Sequence, residues 1–192
     1  NGRVVNEDAI AAQRVHWGLW PLFLVALSLM LLASSIPGFQ LVLHKERTSP
    51  RGLTAIGFDI ALQPLLTGRE RIDRRAPEVA ARTHFVQADV TRLPIAGAGA
   101  AYILDVGCFH GVRPEQRDDY VAGIVANLRP GGYYQLYAFD RTPEMTADPD
   151  RKLMGVEENE IAQRFASQLT IVEIVRARPD RYPCRWYLLQ KP

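Results

Sequence analysis

Hydrophobic residues are distributed in two different ways along this chain. Residues 15–44 contain no Asp, Glu, Lys or Arg, and residues 17–39 read WGLWPLFLVALSLMLLASSIPGF. No polar position recurs there with a 3.6-residue period, so no face is set aside for water. From Leu53 onward, short apolar runs alternate with amphipathic stretches. Strands are expected at 53–60 (LTAIGFDI), 83–88 (THFVQA), 101–105 (AYILD), 133–139 (YYQLYAF), 169–175 and 185–189. A helix is expected over 114–128, with Tyr120, Val121, Ile124, Val125 and Leu128 on one face. The run Arg129-Pro130-Gly131-Gly132 should stop it. Residues 156–165 read as a second helix, and the arginine-rich stretch after Ile60 as a helical one broken by Pro64 and Gly68.

Strands alternating with helices at this spacing predict an α/β fold, a doubly wound, mostly parallel, Rossmann-like sheet. Only a turn over 179–183 separates the last two strands, which should form an antiparallel pair at the C-terminal edge. An N-terminal hydrophobic helix completes the expectation. The chain then divides into an N-terminal segment (1–16), the hydrophobic helix (17–39) and the globular domain (40–192).

The hydrophobic helix admits three readings. It is long enough to span a bilayer core of about 30 Å as a membrane anchor, with Trp17 and Trp20 at an interface. It could equally be a buried helix of the domain. A signal peptide is the third reading, with Ala33-Ser34-Ser35 only loosely matching a cleavage site and Glu7 and Asp8 poorly suited to its start. Lys45, Arg47 and Arg51 flank one end against Arg3 and Arg14 at the other. An anchored protein would thus hold its globular part in the cytoplasm; without the anchor the expectation is a cytoplasmic protein.

Composition narrows the chemistry. Lys and Arg total 23 against 21 for Asp and Glu, a net charge of +2 over 192 residues. The arginines from Arg69 to Arg82 are interleaved with Glu70, Asp73 and Glu78, so a solvated helix face is expected and nucleic acid is not. Cys108 and Cys184 are too few for a disulfide framework. His16, His44, His84 and His110 lack zinc-ligand spacing, so no metal is expected.

Three acids close successive expected strands: Asp59, Asp89 and Asp105. Each alone reads as a helix cap or turn acid. Together they fall where open α/β sheets bind ligands, beyond the carboxyl ends of the strands. GFDI at 57–60, FVQADVTRLP at 85–94, ILDVGCFHG at 103–111 and LRPGGYYQLYAF at 128–139 make the chain resemble class I S-adenosylmethionine-dependent methyltransferases from about Leu53 to its end. The resemblance implies S-adenosylmethionine as cofactor, with Asp59 accepting from the ribose hydroxyls and Ile60 beside it. It implies that Asp89 accepts from the adenine amino group, that the Val90 N–H reaches the ring, and that Ala88 and Val90 pack on its face. Residues 105–110 would line the methyl-transfer pocket. Asp105 is expected in both cofactor binding and catalysis, and His110 as a base for a thiol, hydroxyl or amine acceptor. Cys108 reads as packing, and Phe109, Tyr133 and Tyr134 as core or pocket wall.

The resemblance also implies a first strand ending in an acid and a glycine-rich cofactor loop. Counting back about 20 residues from Asp59 reaches Gly38, a single glycine between Pro37 and Phe39. Either residues 29–35 form the central strand of a degenerate domain, or a membrane segment replaces the usual first strand and loop. Residues 40–44 (QLVLH) could fill the central slot, although the link from there to Leu53 is too short for the usual helix. The expected function is methyl transfer to a small-molecule acceptor, with a membrane or membrane-protein partner if the anchor holds. The alternative is a non-catalytic membrane-associated scaffold. Residues 140–154 are the expected lid or acceptor loop.

Overall fold

A computed structural model describes residues 39–45, 53–95, 97–177 and 183–192. Its strands are β1 (Phe39–Lys45), β2 (Leu53–Asp59), β3 (Thr83–Gln87), β4 (Ala100–Val106), β5 (Leu128–Phe139), β6 (Thr170–Ala177) and β7 (Cys184–Gln190). Its helices are α1 (Leu62–Arg75), α2 (Pro77–Ala80), α3 (Arg117–Asn127), α4 (Pro143–Ala147) and α5 (Glu160–Phe165). The strands form one sheet in the order β3-β2-β1-β4-β5-β7-β6.

Pairing is parallel between β2 and β3 and between β4 and β5, and antiparallel at β5–β7 and β6–β7. The expected mostly parallel sheet with an antiparallel C-terminal pair is thus present. Its centre departs from expectation. β1 lies between β2 and β4 and runs antiparallel to both, with Gln40 opposite Phe58 on one side and Asp105 on the other. The link 46–52 explains the reversal: a parallel crossover needs on the order of a dozen residues or more, whereas a hairpin connection needs few. The central place therefore belongs to 39–45 and not to 29–35. The hydrophobic segment 17–38 and Gly38 itself lie outside the described residues. Among the described residues, no helix is long and apolar enough to cross a membrane.

Alternation along β4 sends successive side chains to opposite faces. Ile103 joins Phe58, Tyr134 and Leu136 beneath Tyr120, Val121 and Ile124 of α3 and Phe165 of α5. Tyr102 and Leu104 meet Ala55 and the α1 residues Leu65 and Ile72. α1 is continuous where a break was expected, because Pro64 sits in the first helical turn, whose N–H groups have no intrahelical acceptor. Its arginines engage local acids, as in the Arg69–Asp73 and Arg74–Glu70 pairs. The expected helix over 156–165 is confined to Glu160–Phe165, and the stop signal at 129–132 lies inside β5. There Gly131, at φ 71°, accommodates an irregular strand start.

The segment after β5 is tied down at Gly155, which has φ 83°. A Cβ there would stand 2.9 Å from Arg141 Cα. Positive φ and the backbone contact together oppose any side chain. Gly155→Ala is expected to cost about 2 kcal/mol, read as a lower urea midpoint at constant m-value. An unchanged midpoint would contradict this.

Candidate functional site

Beyond the carboxyl ends of β2, β3 and β4 lies a crevice of about 440 Å³. Asp59 and Ile60, Ala88 to Thr91, Gly107 and Cys108, and His110 to Val112 line it. Arg113, Gln116 and Met154 complete the wall.

Asp59 ends β2 and is 7% exposed. Its Oδ1 accepts from the Ala61 N–H at 2.8 Å, in the turn that leads into α1. Among the described residues, nothing donates to Oδ2. A buried carboxylate oxygen left without a donor is costly unless a ligand or water supplies one. The β3 end is hooked alongside: the Ala88 N–H donates to the Asp59 carbonyl at 3.0 Å, and Gln87 Nε2 to the Ile60 carbonyl at 2.9 Å. Asp89 is exposed and caps the single 3-10 turn Val90–Arg92. Its Oδ1 accepts from the Thr91 hydroxyl at 2.7 Å and the Thr91 N–H at 2.9 Å. These bonds hold its carboxyl below the usual range. The local capping role is therefore realised, and Asp89 lines the crevice as well.

Asp105 is placed differently from expectation. It is 0% exposed and does not line the crevice. Its Oδ1 accepts from the Cys108 N–H at 2.6 Å; its Oδ2 accepts from the Phe109 N–H at 3.0 Å and from the Tyr120 and Tyr134 hydroxyls at 2.5 and 3.2 Å. It thus anchors the loop after β4 from below. Burial pushes this carboxyl up, hydrogen bonds pull it back, and the outcome is about 6. Gly107, at φ 90°, lets the chain turn sharply over it. Phe109 and Tyr134 are core.

His110 lines the crevice but is only 3% exposed. Its Nδ1 accepts from the Phe139 N–H at 3.2 Å, and its ring lies 4.5 Å from that of Phe139. Burial and the Arg117 charge depress its pKa to about 4. With Nδ1 engaged as an acceptor, the neutral ring carries its proton at Nε2. The geometry therefore makes His110 a hydrogen-bond donor rather than the expected base. Burial, then the charges of Asp105, Asp59 and Asp89, push the Cys108 thiol well up, so it stays protonated at neutral pH and is no nucleophile.

Thr91, Arg113, Gln116 and Met154 were not singled out from sequence; Met154 alone fell inside an expected lid. Among the described residues, no group of His, Cys, Asp and Glu could hold a metal ion.

No protein family profile matches the chain. Among solved structures it is similar to 1,6-didemethyltoxoflavin-N1-methyltransferase from Burkholderia thailandensis, at 25% identity and a TM-score of 0.49 over 60% of this chain and 55% of that one. It is similar to the N-methyltransferase NodS from Bradyrhizobium japonicum WM9 in complex with S-adenosyl-L-homocysteine, at 16% identity and a TM-score of 0.56 over 70% and 65%. It is also similar to an S-adenosylmethionine-dependent methyltransferase from Methanosarcina mazei, at 13% identity and a TM-score of 0.58 over 71% and 81%. The chain spans less than two thirds of the first two. Sheet order, the crevice beyond the strand ends and the likeness to the latter two structures agree: the chain has the fold of the class I S-adenosylmethionine-dependent methyltransferases.

Proposed function

We propose that the protein binds S-adenosylmethionine in this crevice and transfers its methyl group to a small-molecule acceptor. The observation that carries this reading is the buried Asp59 carboxylate, which lines a crevice of nucleoside size and whose Oδ2 has no donor among the described residues. When bound, the cofactor supplies an electrophilic methyl group on a sulfonium centre. Asp59 would hold the ribose hydroxyls, since an ionised carboxylate accepts strongly from a diol. Asp89, kept ionised by its Thr91 bonds, would receive the adenine amino group, with Ala88 and Val90 against the ring. The carboxylates that add to the effect of burial in raising the Cys108 thiol also favour a cation nearby. His110 would orient the acceptor by donating from Nε2. A crevice of 440 Å³ is within the small-molecule range of about 300–1,000 Å³, which suits the cofactor.

Calorimetry with S-adenosylhomocysteine tests the reading. Binding by the wild type is expected, and Asp59→Asn should weaken it by about ten- to a hundredfold. That variant keeps the acceptor for the Ala61 N–H and replaces the second carboxylate oxygen, with its charge, by an amide donor. No binding at millimolar ligand overturns the enzyme reading. It would favour the scaffold alternative. Membrane anchoring rests on residues 17–39 alone and is tested by partition into detergent.

A further inference from the structure

The two sides of the crevice differ in polarity. Asp59 and Asp89 follow β2 and β3, on the side assigned above to the nucleoside. Across β1, the segment after β4 builds the other side, with Met154 completing it. After burial itself, what shifts the Cys108 thiol is the charge of Asp105, Asp59 and Asp89, whereas what shifts the His110 imidazole is the charge of Arg117. The local field therefore turns from negative to positive between Cys108 and His110.

On that second side the backbone acceptors are already engaged within the protein. The Cys108, His110 and Arg113 carbonyls accept from the Gly111, Gly155 and Gln116 N–H groups at 2.9, 3.1 and 2.9 Å. The Val112 carbonyl accepts from Arg117 Nε at 3.0 Å, and the Met154 carbonyl from Arg141 Nε at 3.2 Å. The side chains left over are donors. His110 is 3% exposed, its Nδ1 is taken by the Phe139 N–H, and among the described residues nothing accepts from its Nε2–H. A buried donor in that state is costly unless a ligand or water accepts from it. Arg113 is exposed and is the one Lys or Arg among the lining residues. Among the described residues no ion pair or side-chain hydrogen bond engages it, and the same holds for the half-buried Gln116 amide. Donors with a forked cation among them suit an anion better than a neutral group. A single guanidinium matches the one charge and planar oxygens of a carboxylate, whereas a phosphate would leave part of its charge unmatched.

We propose that the methyl acceptor is a small molecule bearing a carboxylate, which the donors of Arg113, Gln116 and His110 hold. This rests on the cofactor reading above and names the class of acceptor for it. The nucleoside then lies against the acids, and the acceptor's charge against the donors across β1.

Benzoate and benzamide have nearly the same shape and differ in charge, so the pair serves as probe. Both are titrated by calorimetry into the full chain loaded with S-adenosylhomocysteine. Benzoate is expected to bind at least about tenfold more tightly than benzamide. Arg113→Gln should remove that preference, and Arg113→Lys should recover part of it, since charge returns without the fork. S-adenosylhomocysteine itself should bind Arg113→Gln within about twofold of the wild type, which also shows that the variant is folded. Benzamide binding as tightly as benzoate overturns the assignment, and so does a preference that survives Arg113→Gln or a failure of both probes to bind at millimolar concentration. A loss of about tenfold or more in S-adenosylhomocysteine affinity in Arg113→Gln overturns it as well, because the guanidinium then serves the cofactor. In each of these cases a wild type that binds S-adenosylhomocysteine leaves the cofactor reading standing. A wild type that does not bind it overturns that reading, and the assignment falls with it.

Discussion

Replacing Arg117 with alanine is expected to destabilise the fold by about 3–5 kcal/mol, the cost of breaking a buried ion pair from one side. The guanidinium is 1% exposed at the start of α3. Nη1 donates to Glu160 Oε2 at 2.7 Å, Nε to the Val112 carbonyl at 3.0 Å and Nη2 to the Gly155 carbonyl at 2.9 Å. Its carbon lies 5.2 Å from the centre of the Phe109 ring. One side chain thus joins the loop after β4, the segment carrying Met154 and helix α5. Burial alone would raise the Glu160 carboxyl, but the bonds from Arg117 and Arg164 outweigh it and hold it low. Without Arg117, Glu160 keeps Arg164 but stays buried beside two carbonyls that have lost their donor. Urea titration should show the loss as a lower midpoint. The paired replacement Arg117→Met with Glu160→Met should be markedly less damaging than Arg117→Ala, because no charge is then stranded. A single-variant loss below about 1 kcal/mol, or a double variant worse than the single one, would refute the account.

How much of this was readable beforehand depends on the distance over which each feature is determined. Asp59 and Asp89 were visible because the apolar runs before them mark strand ends, and strand ends mark the ligand side of such a sheet. The same rule misplaced Asp105. An acid three and four residues ahead of free N–H groups also caps a turn, and the decisive partners, Tyr120 and Tyr134, come from α3 and β5. No local pattern shows that those hydroxyls converge on one carboxylate. The direction of β1 was equally hidden, because alternation in QLVLH reads the same both ways. Only the length of 46–52 carried the information.

The crevice residues that went unnoticed share another property. Gln116, Arg113 and Met154 lie on a 3-10 turn, its flank and a loop, where neither a 2.0 nor a 3.6 period marks a face. They come together because Arg117 draws the Val112 and Gly155 carbonyls toward one guanidinium. His110 was visible as the imidazole of its loop. Its tautomer was not, since that depends on the Phe139 N–H, supplied by the neighbouring strand.

Acid titration of stability should separate Asp105 from His110 by sign. The folded Asp105 carboxyl titrates at about 6, above its ordinary 3.8. A raised pKa means that the folded state holds the proton more tightly. The contribution of Asp105 is full below about pH 4 and is lost as pH rises through 6. His110 titrates at about 4, below its ordinary 6.5. Its folded state resists protonation, so its contribution is full above about pH 6.5 and is lost as pH falls toward 4. The two slopes oppose each other over nearly the same window, each amounting to about 3 kcal/mol. In the wild type they should largely cancel there. Asp105→Asn keeps an acceptor for the Cys108 N–H and removes one slope, so stability should fall steadily from pH 6.5 to 4. His110→Asn keeps an acceptor for the Phe139 N–H and removes the other, so stability should rise as pH falls from 6 to 4. Glu160 and Asp89, both held below their usual ranges, lose their contributions in acid in all three proteins alike, so the difference between variants isolates the pair. Urea midpoints measured at half-unit pH steps provide the check. Parallel curves for the two variants would mean that neither burial nor the Arg117 charge sets these protonation states, and the donor role of His110 would lose its electrostatic basis.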